Sequence, residues 1–451
     1  MSNMPLFQAL LLLAAVIILI VAIQRLRFHP FLAIVITASA FGLAAGFSTG
    51  LLGKAFGTGF SQAIYSPGLV IVAAGFVAGL AESTGASDRL KAAIDRWRWL
   101  GSTRIAAFFG LIAGIGASPA SAFALITPLL RAISGGAAPK REAVMIAPAL
   151  AISASHGLLL FSPVPIAAAS ILGAAWSRVA LFGVPVAILL VVVGVAWARW
   201  LPVLGEVAPR PLMQEPASVI EKRGGWSAIV LLLATAVPLL MLMVQSLGDI
   251  PSEPLGGGPA REMILGLGRP LILFLVGLGI MVIGLWRQSA EFLANSAWIE
   301  RILGNVAGLL LTVGAAGGLQ RLCQETGMAE LLGERLLGWH GGLLVPFLIA
   351  AVIKALQGSS LVAAITTAGM VQPLLLSLGL GDETGKALAT LAIGAGAMTM
   401  SHLNDEYFWL VSASAGLSPL RSLAAITAGT LLQGLVAVTA LLVLSVLVSS
   451  I

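Results

Sequence analysis

Apolar runs about 20 residues long, the length that crosses a hydrocarbon core, recur along this chain from one end to the other. At that density the pattern predicts roughly eleven membrane spans and some shorter apolar pieces. The first run, residues 5–23, has no basic residue before it and is followed by Arg25 and Arg27. This charge order predicts a retained first span with its N-terminus outside, not a cleaved leader. The same rule places span 2 over roughly 30–48, a weakly amphipathic stretch over 51–64 outside or at the interface, and span 3 over roughly 67–84. The loop 88–104 then carries the densest basic cluster in the chain.

Two stretches do not read as simple crossings. Residues 105–134 hold GASPASA (116–122) at their centre, with basic loops on both sides, the later one containing Lys140 and Arg141. Both ends are then cytoplasmic and each arm is short. A re-entrant hairpin with Ser118, Pro119 and Ser121 at its tip satisfies both facts. Residues 143–177, interrupted by SHGLLLFSPVP, read as one broken crossing, and a further span over 180–199 returns inward.

The second half repeats this order. GLVIVAAGFVAGLAESTG (68–85) resembles GLLLTVGAAGGLQRLCQETG, which ends at Gly327, FALIT (123–127) resembles VAAIT (362–366), and Ser155-His156 resembles Ser401-His402. The expected division is a first repeat over 1–199, a polar, Pro-containing linker over 200–226 and a second repeat over 227–451. The second repeat holds a hairpin at 340–378, a broken helix at 386–412 and a last span at 420–449. Its loops are the more acidic, with Glu325, Glu330 and Glu334 in one and Asp382 and Glu383 in another, so it is expected upside down relative to the first. The fold class expected is thus an all-α polytopic membrane protein of two inverted-topology repeats, each with a re-entrant hairpin and a broken helix. Shared Gly, Ala and Leu content is the plainer account of the likeness, but it does not explain the matched order.

Composition agrees. The 451 residues are 59% apolar and 10% charged, so lipid must be the solvent for much of the chain. The net charge of +6 comes from basic residues in short loops, which are orientation signals and no nucleic-acid footprint. Trp97, Trp99 and Trp200 fit as interfacial anchors. With one cysteine, Cys323, no intrachain disulfide can form. No catalytic, nucleotide-binding or metal-ligand motif occurs, so neither an enzyme, a metal site nor a primary pump is expected, and no cofactor is called for.

Candidate chemistry lies where polar residues fall at hydrocarbon depth, namely in GASPASA, in SASHG…SPVP (153–165), in QGSSL (357–361) and in SHLND (401–405). Irregular backbone survives there only when buried in protein or lining a wet cavity. Exposed helix N-termini at such breaks bind anions. Ser118, Pro119, Ser121, Ser155, His156, Gly157, Ser162, Gly358, Ser359, Ser360, Ser401, His402 and Asn404 are therefore candidate substrate ligands. Asp405, His402, His156 and Lys354 are candidate coupling groups. Each has a plainer role. The small residues suit helix packing, and the histidines suit holding broken backbone. Asp405 and Asn404 suit a helix cap. Lys354 pairs with an acid, lends positive potential or snorkels. Glu82, near the end of span 3, fits an interfacial position.

At these residues the chain resembles the gluconate permease (GntP-type) family. AIGAGAMTMSHLNDEYFWL (392–410) is similar to a segment near the family's C-terminus that carries a Ser-His-x-Asn-Asp run followed by Phe-Trp. GSSLVAAITTAG (358–369) and SASHGLLLFSPVPIA (153–167) resemble two more of its blocks, as does the stretch leading to LCQETG. The resemblance implies a cation-coupled symporter of gluconate or related hydroxy acids, usually proton-driven. It also implies the ion-transporter superfamily fold, a homodimer and elevator-type motion. The chain departs from the family where an acid of the first hairpin becomes Ala120, where His-Pro-Gly-Pro-Thr becomes Ser162 to Ile166, where a Thr of the second tip becomes Leu361 and where an Arg becomes Lys354. Fewer hydroxyl partners point to a substrate less hydroxylated than gluconate.

The expected function is proton-coupled symport of a small organic monocarboxylate across the cell (inner) membrane. The carboxylate is expected on tip amides and the hydroxyls of Ser118, Ser121, Ser359 and Ser360, and the proton on His402 or Asp405. Sodium coupling through tip carbonyls and Asn404 is the alternative within this class, and a channel or non-transporting membrane scaffold is the alternative outside it.

Overall fold

The computed structural model describes residues 4–95, 101–115, 118–134, 138–159, 162–201, 226–248, 258–327, 334, 339 and 341–449. Most of the expected linker, residues 202–225, lies outside them, as do Gly116, Ala117, Trp97, Trp99 and Glu330. Apolar backbone in lipid must satisfy its own hydrogen bonds, and the described residues are helical with no strand.

The first half opens with α1 (Met4–Gln24) and α2 (Pro30–Ala44). Next, α3 (Thr49–Ala63) runs through a π-helical segment, Ile64–Gly68, into α4 (Leu69–Ser83). After α5 (Ala86–Asp95) come α6 (Ser102–Ala113) and α7 (Pro119–Ser134), the two arms of the first hairpin. The broken helix is α8 (Ala138–Leu158) and α9 (Pro163–Leu172), and α10 (Trp176–Trp200) follows.

The second half begins with α11 (Trp226–Gly248), α12 (Pro259–Leu267), α13 (Pro270–Gly284) and α14 (Trp286–Leu293). A long α15 (Ser296–Glu325) leads to the second hairpin, α16 (Leu344–Gln357) and α17 (Ser360–Val371). The second broken helix is α18 (Glu383–Ala397) and α19 (Glu406–Ala415). A short α20 (Pro419–Ser422) continues through π-helical Leu423–Thr427 into α21 (Ala428–Ser449).

Among the described residues, five helical segments are long and apolar enough to cross a membrane unaided, or up to seven if each bent pair is one span. The bent pairs are α4 with α5, at 81°, and α12 with α13, at 59°. The roughly eleven expected spans included helices shorter than a full crossing, such as α2. A helix of 15 residues such as α2 covers about 22 Å, short of the roughly 30 Å core.

One expectation changes. The stretch 51–64 is not a separate interfacial segment. It belongs to α3, whose Ala55, Gly59 and Ala63 are buried. A Cβ on Gly59 would strike the Gly317 carbonyl of α15, while Gly68 faces Leu310, Gly75 faces Val306 and Gly79 faces Ile302. The run α3–α4 and α15 are thus packed antiparallel along their length, close enough that only small residues fit at the crossing. Both end alike, at Thr84-Gly85 and Thr326-Gly327, with the glycines at φ +70° and +64°. Glu82 is half-buried in the last turn of α4. Trp200, 47% exposed, suits its interfacial reading.

Two apolar clusters form the interior. One spans α1 to α8 and the end of α10 with α11, α13, α15 and α19. The other joins the end of α8 with α9, α10, α16, α17, α18 and α21. The second broken helix passes from one to the other, with Met398 in the second cluster and Leu403 in the first.

Candidate functional site

Each helix break has a local cause. Gly358 sits at φ +78°, a conformation L residues resist, and a Cβ there would also strike the Asn404 carbonyl. Ser359 then caps α17, its Oγ accepting from the Val362 N–H at 3.4 Å. In the other break, Met400 adopts φ +57°, a strained setting for a side chain of that size. Asp405 caps α19, accepting from the Tyr407 N–H at 2.9 Å. In the first half, Pro119 and Pro163 open α7 and α9, where a missing N–H costs nothing.

The breaks hold one another. The Ser162 hydroxyl donates to the Gly114 carbonyl (3.0 Å) at the end of α6 and to the Ser155 carbonyl (3.2 Å). In the second half, Asn404 Nδ2 donates to the carbonyls of Ala355 (2.9 Å) and Leu356 (3.2 Å) at the end of α16. His402 Nε2 lies 2.7 Å from the Ala355 carbonyl oxygen, which requires that nitrogen to carry a proton. In each half, then, side chains of the broken helix satisfy carbonyls that the first hairpin arm leaves orphaned. The likeness of Ser155-His156 to Ser401-His402 does not survive as a likeness of position. His156 lies inside α8, whereas His402 lies in the non-helical segment. The positions that correspond are Ser162 and Asp405, the N-caps of α9 and α19.

At the centre is a buried ion pair. Lys354 Nζ lies 2.6 Å from Asp405 Oδ2 and also donates to the Gly358 carbonyl at 2.5 Å. The Ser401 hydroxyl donates to the same Oδ2 at 2.6 Å. Lys354 is 3% exposed and Asp405 5%. Asp405 is therefore both the cap and the ion-pair partner, and Lys354 does not snorkel.

A cavity of about 210 Å³ lies beside this pair. Three helix N-termini open on it: Ser118 to Ala120 of α7, Ser359 to Leu361 of α17, and Asp405 to Tyr407 of α19. Ser153 and His156 of α8, Gln320 of α15, Met398, Ser401, Lys354 and Gly358 complete its wall. Of the sequence candidates, Ser118, Pro119, His156, Lys354, Gly358, Ser359, Ser360, Ser401 and Asp405 thus converge. Ser121, Ser155, Gly157, Ser162, His402 and Asn404 do not line it. Ser121 is buried in α7, and Ser155 donates to the Ala151 carbonyl of its own helix at 3.0 Å. Gly157 is the close approach of α8 to α18, facing Gly394.

Ser153, Gln320, Glu406 and Tyr407 line the cavity without having been singled out. Glu406 stands next to a named acid and was legible. Gln320 belongs to a long helix with no break, and nothing in its local sequence marks it. Ala120, Leu361 and Lys354, three of the four departures noted above, face the cavity, and Ser162 to Ile166, the fourth, do not.

Among the described residues, no group of three or more His, Cys, Asp and Glu side chains is arranged to hold a metal ion.

Residues 7–447 match the family model described as GntP family permease. The chain is 26% identical over 412 residues to the gluconate permease of Pseudomonas aeruginosa, covering 88% of this chain and 89% of that protein. It is 24% identical over 448 residues to the D-serine transporter DsdX of Escherichia coli (strain K12), covering 97% and 98%. The solved YdaH transporter of Alcanivorax borkumensis aligns with 92% of this chain and 97% of its own at 18% identity, with a TM-score of 0.35.

Proposed function

Because this chain belongs to the GntP family of permeases, multi-pass membrane transporters and not enzymes, we propose that it carries a small organic acid into the cell together with a proton. The relatives' names cover gluconate and D-serine, which share a carboxylate and at least one hydroxyl. The observation that carries the reading is the convergence of both hairpin tips on one cavity. The N-termini of α7 and α17 offer unsatisfied N–H groups and partial positive charge to a carboxylate. Ser118, Ser359 and Ser360 add hydroxyls. The third N-terminus, that of α19, already faces Asp405 and is not available to a substrate anion.

Ala120, Leu361 and Met398 make part of the wall apolar. A polyhydroxylated substrate leaves hydroxyls unpaired against such a wall, so the favoured substrate is a short hydroxy acid. His402 and Asn404 hold the second tip in place, and Asp405 is committed to Lys354, Ser401 and the helix cap. Their part in transport is positioning.

The inverted repeat remains part of the proposal. It is supported by the same order of hairpin and broken helix in each half, and by the antiparallel packing of α3–α4 on α15. Alternating access then moves the hairpin-bearing helices against that long pair, in a homodimer whose first span starts outside. Uptake into proteoliposomes tests the reading. An inward proton gradient should drive accumulation of labelled lactate or 3-hydroxybutyrate, with gluconate a weaker competitor. Uptake driven by sodium at fixed pH, or tighter binding of gluconate, would overturn it. Saturable counterflow excludes a channel, and cross-linking in membranes tests the dimer.

A further inference from the structure

We infer that Glu406 is the group that carries the transported proton. The inference rests on the proton-coupled reading above and goes beyond it by naming the carrier. Glu406 is the first residue of α19 and its half-buried side chain lines the cavity. No hydrogen bond or ion pair among the described residues holds its carboxylate. Its neighbour Asp405 lines the same cavity but is fully held. That carboxylate accepts from Lys354 Nζ, the Ser401 hydroxyl and the Tyr407 N–H. It is committed to these three donors, which hold the second tip together. Glu406 can gain or lose a proton without disturbing a contact.

The surroundings turn that freedom into coupling. The titratable groups facing the same cavity are Lys354 from α16, Asp405 beside it, His156 from α8 and Tyr407 from α19. Gln320 is the cavity residue from α15 and is neutral, and α7 contributes Ser118, Pro119 and Ala120. Lys354 is paired with Asp405, so Glu406 is the acid of the cavity wall whose charge has no paired cation, with His156 the other titratable group across from it. With Glu406 ionised, an entering substrate carboxylate meets a like charge in a low-dielectric space. With a proton on Glu406 it meets none. Anion and proton therefore each favour the binding of the other, and they leave together. The step is one proton bound to, and later released from, one carboxylate oxygen, with no other bond made or broken.

The test uses the full-length protein in proteoliposomes with labelled gluconate, lactate and D-serine as probes. Wild-type protein that accumulates none of them under an inward proton gradient overturns the proton-coupled reading itself, before any variant is made. Given coupling in the wild type, Glu406→Gln, a mimic of the protonated acid, should lose at least tenfold in gradient-driven accumulation. It should keep measurable counterflow, with a half-saturation no longer dependent on pH. Full accumulation, or an unchanged pH dependence, overturns the assignment. So does loss of counterflow for D-serine alone, which would make Glu406 a ligand for an ammonium group. If Glu406→Gln does not fold, Glu406→Asp decides. Coupling should persist with a shifted pH midpoint, and an unshifted midpoint refutes the assignment.

Discussion

Replacing Lys354 by Met leaves the Asp405 carboxylate buried without its counter-charge, and replacing Asp405 by Asn leaves the Lys354 ammonium in the same position. The two groups are 2.6 Å apart with side chains only 4% and 7% exposed, so water does not take over either role. Stranding one member of such a pair costs about 3–5 kcal/mol, or roughly two to three and a half powers of ten in an equilibrium. Removing both charges together is a different perturbation. Met fills the space of the lysine stem, and Asn still accepts from the Tyr407 N–H as the cap of α19. What remains is the loss of the bond to Gly358 and a weaker, reversed bond from the Asn amide to the Ser401 hydroxyl, about 1–2 kcal/mol. The double variant should therefore be damaged less than either single one. Thermal stability of purified protein in detergent and in nanodiscs, read as the temperature that halves the monodisperse fraction, gives the ranking. A double variant as unstable as the sum of the two single ones, or single variants indistinguishable from wild type, would refute the argument.

Other consequences are simpler to state. Gly358→Ala puts a Cβ on a residue at φ +78° and against the Asn404 carbonyl, so it should cost about 1–2 kcal/mol from backbone conformation alone. It should also abolish substrate-induced thermal stabilisation while the protein still inserts. Leu361→Thr places a hydroxyl on the cavity wall. Competition assays should show gluconate gaining up to about tenfold over lactate, the equivalent of one hydrogen bond. Arg421 binds Glu142 at 2.7 and 3.1 Å and the Leu201 carbonyl at 2.5 Å, joining α20, α8 and the end of α10 away from the cavity. Glu142→Gln should thus lower thermal stability by about 3 kcal/mol or more, with substrate affinity unchanged in surviving protein.

The sequence by itself determined the class of solvent, the helical nature of the described apolar runs, and helix starts such as those at Pro119, Pro163 and Ser360. These follow from one-dimensional quantities: the length of an apolar run, the sign of its flanks, and Gly, Ser and Pro at depths where continuous helix is the default. Blocks such as SHLND were legible for the same reason. Only the tertiary structure decided which way each polar group in a break points. In SHLND, Ser401 donates to Asp405, which meets Lys354 beside the cavity, while His402 and Asn404, one position away from them, turn to the carbonyls of Ala355 and Leu356. A non-helical segment has no fixed period, so spacing cannot say which side chain faces the cavity. Gln320 reaches the site because α15 lies along the other half of the chain, and no local pattern can report a neighbour supplied by packing.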